Sequence, residues 1–315
     1  MIKKIYYSLL ISFFFHNTLA LSNTDVFIFA TVNNKIITNF DIEKEIEYLK
    51  ILNPSISQLE KKRVSKLAEN SLINEFVKKS ELEKTFDLNA DGKFKDNPFS
   101  EEYFVNLYTK LNFSSEENFR RELNKVNNYS LDEIKEKLKI EILWNELIYM
   151  RFGNQIKIDK DSMLKKIESF KNKNLNEYQI SEIVFKKKKN EKIEILRNKI
   201  KRSIKEIGFN NTANIYSISE SSKMGGNIGW IKETNLSGEI LKNLKKLNEG
   251  QNTDIIQVGN NFLILKIEKI KIKEILINKD EELKKMVKFE TNKQLNQYSK
   301  IFFDKTKINY NISEK

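Results

Sequence analysis

The chain has 315 residues, a formal net charge of +12 and no cysteine. The lack of cysteine excludes disulfide bonds, a cysteine nucleophile and a thiolate metal site, so stability must come from packing. A basic chain raises the question of nucleic-acid binding, but its lysines are spread along the sequence with glutamates at helical spacing. This distribution is typical of solvated helical surfaces, and we expect no nucleic-acid partner.

Residues 1–20 have the three-part layout of a secretory signal peptide. Lys3 and Lys4 form a charged start, residues 5–15 are an almost unbroken apolar run, and Thr18 and Ala20 are small residues before a cleavage point. The apolar run is shorter than the roughly 20 residues that a membrane-spanning helix needs. We therefore predict cleavage after Ala20 and a periplasmic protein with no stable membrane insertion. The alternative is an uncleaved membrane anchor.

A β-hairpin opens the remaining sequence. Residues 26–32 are rich in β-branched and aromatic residues, residues 33–34 are an Asn-Asn pair that tolerates positive φ angles, and residues 35–38 alternate again. Thr38 or Asn39 is then placed to cap a first helix, with residues 38–41 close to a capping box, and Asn53-Pro54 is placed to end it.

Apolar residues at helical spacing predict that residues 38–171 are almost entirely α-helical. Ser57, Ser114 and Ser130 stand at the starts of three of these segments, where a hydroxyl caps the first turn. After the first helix, the predicted helices are 57–86, about 99–111, about 115–127, about 131–151 and 159–171.

Near residue 175 the composition changes to that of a compact α+β unit. Its most distinctive feature is the glycine-rich stretch 224–230, where a Gly-Gly pair lets the backbone turn back with positive φ. A turn that only supports the fold is at least as good an interpretation as a direct role in binding. The predicted elements of this unit are strands at 178–185, 255–258 and 262–270, and helices at 192–206 and 238–247.

We predict that the two ends of the chain meet. A two-stranded hairpin is marginal alone, and residues 308–312, which follow a long amphipathic helix at 279–305, are the candidate third strand. The predicted fold class is therefore α+β, with a mostly helical module around one α+β domain. The predicted divisions are a signal peptide at 1–20, the helical module at 21–174, the α+β domain at 175–272, and a C-terminal helix and strand at 273–315 that return to the module.

Four stretches, in order, resemble SurA-type periplasmic chaperones. Residues 32–41 look like the hairpin and first helix that open the chaperone module of that family. Residues 225–230 resemble the Gly-Gly-Asp-Leu-Gly-Trp signature of parvulin-type prolyl isomerase domains, residues 247–251 resemble its Leu-x-x-Gly turn, and residues 262–267 resemble its last strand. The sequence therefore resembles a SurA-type chaperone with a single parvulin-like, PpiC-type domain, where the best-known layout has two.

The resemblance implies an apolar cradle that grips a proline ring. Ile228, Leu236 and Ile240 fall where the family places its Leu, Met and Phe, and Phe262 lies beside them on the last strand. These four are the candidate substrate-binding residues. An interpretation in which all four only pack the core is equally good.

The resemblance also implies a polar set of two histidines and an Asp or Cys, and this sequence lacks it. The corresponding positions are Glu182 for the first histidine, Phe262 or Leu263 for the second, and Ser219 or Glu220 for the Asp or Cys. The one histidine of the chain is His16, inside the predicted signal peptide. Glu182 can act as a hydrogen-bonding group but cannot reproduce a pair of neutral imidazoles. We therefore assign no catalytic residue and hypothesise that isomerase activity is absent or very low.

Three functions remain open at this point. The first is an ATP-independent chaperone that holds unfolded outer-membrane protein precursors in a cleft between the helical module and the parvulin-like domain. The second is an active prolyl isomerase that assists exported proteins, and the third is a membrane-tethered scaffold, which requires an uncleaved N-terminus. No cofactor and no metal are expected, because residues 21–315 contain neither Cys nor His and no phosphate-binding loop.

Overall fold

The computed structural model describes residues 25–95, 98, 100–125, 129–169, 175–187, 191–273 and 278–314, so the predicted signal peptide lies outside the described residues. The helices are α1 (Asn39–Leu52), α2 (Lys61–Leu82), α3 (Ser100–Lys110), α4 (Glu116–Leu123), α5 (Leu131–Phe152), α6 (Lys160–Ser169), α7 (Ile193–Tyr216), α8 (Gly238–Leu244) and α9 (Lys279–Lys307). The strands are β1 (Ile28–Val32), β2 (Lys35–Thr38), β3 (Leu175–Phe185), β4 (Asn227–Lys232), β5 (Ile256–Val258), β6 (Asn261–Lys273) and β7 (Ile312–Glu314). The predicted α+β fold class is confirmed.

A three-stranded antiparallel sheet, in the order β2-β1-β7, joins the two ends of the described chain. Asn33 makes the turn between β1 and β2 with a φ of 50°, which asparagine tolerates better than most residues. Its N–H donates to the carbonyl of Asn311 at 2.8 Å, next to β7. The third strand thus pairs with β1, but its predicted position at 308–312 is wrong. Helix α9 continues to Lys307, and Ile308 follows it as a cap residue that is 82% exposed.

A capping box sets the start of α1, and a glycine kink divides α7 into two helical segments. Thr38 caps α1 as predicted: its hydroxyl accepts from the N–H of Asp41 at 3.3 Å, and the Asp41 carboxylate accepts from the N–H of Thr38 at 2.7 Å. The predicted helix at 192–206 corresponds to the part of α7 that precedes a kink at Gly208, whose φ of 82° is not helical; the prediction missed the helical segment that follows this kink. The hydroxyl of Thr212 donates to the carbonyl of Gly208 at 2.8 Å and stabilises the resumed turn.

The core of the helical module lies where α2, α5 and α9 pack together. Trp144 of α5 is buried, and its indole N–H donates to the hydroxyl of Ser299 on α9 at 2.8 Å. The rings of Phe302 and Phe303, also on α9, have their centroids 5.5 and 5.9 Å from that of Trp144. Buried aromatic side chains dominate core energetics, so α9 is an integral part of this core. Among the described residues, no helix has both the length and the apolar character that crossing a membrane requires.

The α+β domain is built on a four-stranded antiparallel sheet in the order β4-β3-β6-β5. Strand β3 pairs with β6 along its whole length. Because alternate side chains of a strand point to opposite faces, the sheet carries two apolar layers. Ile183 and Phe185 of β3 pack in the layer that contains α7, whereas Ile180 and Leu265 pack in the layer that contains Leu244 of α8.

Candidate functional site

The glycine pair of the parvulin-like motif holds a tight loop against β3. Gly225 and Gly226 have φ angles of 65° and 84°, which favour glycine. The N–H of Gly226 donates to the carbonyl of Ser221 at 2.8 Å, and the carbonyl of Gly226 accepts from the N–H of Glu182 at 2.8 Å. A Cβ at position 226 would collide with the carbonyl of Glu182. The glycine is therefore required by the close contact between the loop and the strand.

Glu182 lies at the centre of a small polar cluster under this loop. Its Oε1 accepts from the hydroxyl of Ser219 at 2.6 Å and from the hydroxyl of Ser221 at 2.9 Å. The hydroxyl of Ser221 is also 3.1 Å from that of Ser219. Burial raises the pKa of Glu182 above its usual value, and the two hydroxyl donors oppose that change without cancelling it. The structure therefore brings together two of the three positions that correspond to the polar residues of the family, those of the first histidine and of the Asp or Cys. For the Asp or Cys position it favours Ser219 over Glu220.

The third position, on β6, contributes no polar group. Leu263 lies opposite Val184 and Leu265 lies opposite Glu182, so Leu263 and Glu182 are on the same face of the sheet. Leu263 is buried in the apolar layer there. Of the two residues that the sequence leaves open for the second histidine, the face of the sheet selects Leu263.

Phe262 does not join the other predicted substrate-binding residues, which corrects that grouping. It lies opposite Phe185 on the other face of the sheet, and the two rings stack with their centroids 5.8 Å apart. The physical reason is the two-residue period of a strand, because a neighbour in sequence points the opposite way. Phe262 therefore belongs to the layer that contains α7.

The remaining three candidates, Ile228, Leu236 and Ile240, lie together. All three belong to the apolar cluster that contains Tyr178 and Ile180. Leu236 is only 6% exposed, which fits the core interpretation, whereas Ile228 and Ile240 are half-buried. Of the four predicted cradle residues, only Ile228 and Ile240 therefore combine a place in this cluster with partial exposure.

Ion pairs fasten the same loop to the helical module. Lys78 of α2 lies 2.6 Å from Glu141 of α5 and 3.5 Å from Glu220 of the loop, and Lys223 of the loop lies 3.6 Å from Glu141. Burial alone would raise the pKa of Glu141, but the two ammonium groups lower it to about 2. Burial alone would lower the pKa of Lys223, yet Glu141 and Glu220 raise it. The module and the domain are therefore in direct contact at this loop.

Hydrogen bonds between amide side chains add to this contact. The side-chain N–H of Asn211 on α7 donates to the carbonyl of Ser55 at 3.1 Å, and that of Asn53 donates to the side-chain oxygen of Asn214 at 2.5 Å. Asn211 is buried, and a buried amide without a partner is costly. These bonds favour one defined orientation of α7 against the end of α1.

Sequence reasoning missed Ser221 and the ion pairs between Lys78, Glu141 and Lys223. For Ser221 a signal was available, because it follows Ser219 by two residues in a segment rich in serine. For the ion pairs there was none, since spacing along a helix does not show which charges meet across elements. Within the described part of the chain, no group of three or more carboxylate residues is arranged to hold a metal ion.

Comparison with known proteins finds a matching domain family and two similar chaperones. Residues 174–269 match the family model of the rotamase PPIC-type PPIASE domain. The chain is 22% identical to a protein named Chaperone SurA from Chromobacterium violaceum over 277 residues, which cover 84% of this chain and 63% of the relative. It is 36% identical to Periplasmic chaperone PpiD from Buchnera aphidicola over 141 residues, which cover 44% of this chain and 21% of the relative.

The chain thus spans less than two thirds of the length of either curated relative. Among solved structures, one similar chain comes from a study of PEB4 and Cj1289, described as SurA-like chaperones of Campylobacter jejuni. It shares 17% identity, with a TM-score of 0.33 and coverage of 91% of this chain and 99% of that one. The chain therefore carries a PPIC-type, parvulin-like rotamase domain at residues 174–269 and is similar to SurA-type chaperones over most of its length, which confirms the resemblance predicted from its sequence.

Proposed function

We propose that the chain is a periplasmic, ATP-independent chaperone for unfolded exported proteins, outer-membrane protein precursors among them, whose parvulin-like domain has little or no isomerase activity. The similarity to proteins named Chaperone SurA and Periplasmic chaperone PpiD supports the chaperone part. The proposal includes the division into a signal peptide at 1–20, a helical chaperone module at 21–174, the parvulin-like domain at 175–272 and a returning C-terminal segment at 273–315.

The observation that carries the second part is the hydrogen bonding of Glu182. Rotating a peptide bond means crossing a barrier of about 18–20 kcal/mol, and a catalyst lowers it with polar groups aimed at the twisted amide. Here the carboxylate oxygen of Glu182 already accepts from Ser219 and Ser221, and the β6 position that corresponds to the second histidine, on the same face of the sheet, is the apolar Leu263. The site therefore offers an occupied acceptor where the family has its histidines.

The N-terminal hairpin offers a surface that suits extended clients. Phe27 stacks on Phe29 with the ring centroids 5.4 Å apart, and Ile36 of β2 lies opposite Thr31. Phe27 and Ile36 are each 53% exposed. Because β2 is at the edge of its sheet, its outward backbone groups can pair with an added strand. An unfolded β-barrel segment has both the extended backbone and the alternating apolar side chains that this surface fits.

The holding function is tested by diluting an unfolded β-barrel protein from urea and following its aggregation by light scattering. An equimolar amount of the chain, without ATP, should suppress aggregation. The double variant Phe27→Ser/Ile36→Ser should suppress it less, whereas Tyr149→Ser/Met150→Ser, a matched pair of exposed apolar residues on α5, should act like the wild type. No suppression by the wild-type chain would reject the chaperone proposal.

An active isomerase is the second candidate function, favoured by the match of residues 174–269 to the rotamase family and by the half-buried Ile228 and Ile240. If it is right, the chain accelerates isomerisation of a Xaa-Pro peptide and the double variant Leu236→Ala/Ile240→Ala loses that acceleration. Ile195→Ala, at an exposed isoleucine of α7, is the matched control. The membrane-tethered scaffold is tested separately, because an intact mass that begins near Leu21 excludes it.

A further inference from the structure

A cleft of about 190 Å³ lies between α6, α9 and the segment that precedes α8. It is outside the polar cluster around Glu182 and outside the surface formed by Ile228 and Ile240. Its apolar lining is formed by Met163 of α6 and by Met286 and Phe289 of α9. Thioether and aromatic side chains of this kind adapt to a compact apolar group.

The cleft also carries a net positive charge. Lys166 and Lys293 line it together with the single carboxylate of Glu290. Glu290 is paired with Lys293 at 3.1 Å and accepts a hydrogen bond from Gln294 at 3.1 Å. Lys166 donates to the carbonyl of Leu236 at 2.5 Å, and no ion pair of Lys166 is present among the described residues. Two ammonium groups therefore face one carboxylate that is already paired.

The charges around Lys166 only partly compensate its own. Burial lowers its pKa below the ordinary value of a lysine, the nearby charge of Lys293 lowers it further, and Glu290 only partly opposes them. An added anion between Lys166 and Lys293 would offset this electrostatic strain.

A third feature of the cleft is an acceptor without a donor. Asn235 lines the cleft, and its side-chain oxygen is buried with no hydrogen-bond partner among the described residues. The neighbouring Thr234 does not supply one, because its hydroxyl donates to Glu282 at 2.7 Å. A buried acceptor of this kind needs an N–H or O–H donor, and a ligand N–H would supply one once the Asn235 amide turns towards the cleft.

We propose that this cleft binds the C-terminal residue of an extended polypeptide. Its carboxylate would lie between Lys166 and Lys293, its apolar side chain against Met163 and the α9 residues, and its backbone N–H would donate to Asn235. A free apolar acid offers the charge and the apolar group but no N–H, and an amidated peptide lacks the charge. The inference extends the proposed function, since each unfolded client has one such chain end.

The test measures binding of short peptides to the full chain by isothermal titration calorimetry. The probes are N-acetyl-Ser-Gly-Ser-Gly-Phe as the free acid, the same peptide as its C-terminal amide, and 3-phenylpropionate. The acid should bind about tenfold or more tightly than the amide, because a charge-assisted contact is worth roughly that factor. It should also bind more tightly than 3-phenylpropionate, which has no N–H for Asn235.

Lysine variants then locate the site. Lys166→Gln/Lys293→Gln should remove the preference for the acid, and so should the single variant Lys293→Gln, whose exposed position keeps the fold intact if Lys166→Gln unfolds. Lys288→Gln, at an exposed lysine of the same helix, should bind like the wild type. Equal binding of acid and amide, equal binding of 3-phenylpropionate, full binding by Lys293→Gln, or no binding at about 1 mM peptide would each overturn the inference.

The aggregation assay separates this result from the proposed function. If Lys166→Gln/Lys293→Gln loses peptide binding but still suppresses aggregation, the cleft binds chain ends and is distinct from the holding surface. If the wild type suppresses aggregation but shows no preference for the acid peptide, the chaperone proposal stands and the cleft inference fails.

Discussion

Two carboxylates lie largely within protein, and their pKa values move in opposite directions because their partners differ in charge. Glu141, in the helical module, lies near the ammonium groups of Lys78 and Lys223; burial would raise its pKa, but these cations lower it to about 2. Glu182, in the parvulin-like domain, accepts hydrogen bonds from two hydroxyls; burial raises its pKa, and these bonds lower it only in part. Hydroxyls carry no charge, so they do not fully offset burial. The module uses charge to fix elements in place, whereas Glu182 is an acid with no counter-ion in the part of the chain that the structure describes.

The largest expected effect extends this comparison to a second ion pair of the module. Lys137 of α5 lies 2.8 Å from Glu45, which is 1% exposed, and also pairs with Glu75. The other carboxylate oxygen of Glu45 has no hydrogen-bond partner within the described ranges of the chain. We expect Lys137→Met to lower the free energy of unfolding by about 3–5 kcal/mol, because it leaves a buried charge unpaired. Urea denaturation measures this change.

Lys135→Met is the matched control, since Lys135 is on the same helix but is 37% exposed in its side chain. We expect it to change the free energy of unfolding by less than about 1 kcal/mol. Equal losses in the two variants would mean that burial of Lys137 has no special importance, and that the module does not depend on its internal charges.

The second prediction concerns Glu141 directly. Glu141→Gln keeps the shape but leaves Lys78 and Lys223 without their carboxylate, and we expect a loss of about 2 kcal/mol at pH 7, less than the full pKa change implies, because the side chain is partly exposed. A lowered pKa in the folded state gives stability that is present above the ordinary value of 4.5 and is lost as pH falls towards about 2. The difference between variant and wild type should therefore shrink across that range.

Glu281→Gln is the control for this pH dependence. Glu281 is exposed, and a hydrogen bond from Lys285 lowers its pKa as well, so we expect little change in the midpoint of urea denaturation. A deficit of Glu141→Gln that grew as pH fell from 4.5 would contradict the assigned direction of the pKa change.

The smallest expected effect is at Glu182, and it has the opposite sign. A raised pKa means that the ionised form of Glu182 is disfavoured in the folded state, so ionisation lowers the free energy of unfolding. This loss is absent below the ordinary pKa of 4.5 and grows as pH rises through the folded pKa. Glu182→Gln removes the charge and keeps an acceptor for Ser219 and Ser221. We expect a gain of about 1 kcal/mol or less at neutral pH, measured by urea denaturation at several pH values.

Glu268→Gln on β6 is the matched variant for Glu182. Its carboxylate accepts from Ser181 at 2.8 Å but also pairs with Lys266 at 2.8 Å, so neutralising it should give no gain. If Glu182→Gln is destabilising at neutral pH, then Glu182 has a cationic partner in solution and the contrast between the two regions is wrong.

The features that the sequence predicted are those decided by local chemistry. Thr38 caps α1 because its own hydroxyl and the Asp41 carboxylate complete the capping box, and Gly226 is needed because its φ is positive and its backbone touches β3. The degenerate positions Glu182 and Ser219 were placed through the family motif, and the structure brings them within 2.6 Å. Each of these inferences needs only nearby residues or a motif of fixed spacing.

The features that were missed depend on contacts between distant segments. Phe262 and Leu263 differ by one position, and only the register of β6 against β3 shows which of them faces Glu182. Lys78 and Glu141 are ordinary polar residues of two helices until the fold brings them 2.6 Å apart. The helical segment after Gly208 was not predicted, because a glycine inside a helix is unfavourable and only packing shows that the helix resumes beyond it.

The central claim is that the parvulin-like domain lacks the chemistry of prolyl isomerisation, and exchange NMR spectroscopy on an Ala-Pro peptide tests it most directly. Without catalysis the two isomers interconvert over tens to hundreds of seconds. With the full chain added at catalytic concentration, we predict the same rate, unchanged by Glu182→Gln. A clear acceleration by the wild type that is lost in Leu236→Ala/Ile240→Ala, but kept in Ile195→Ala, would contradict this account.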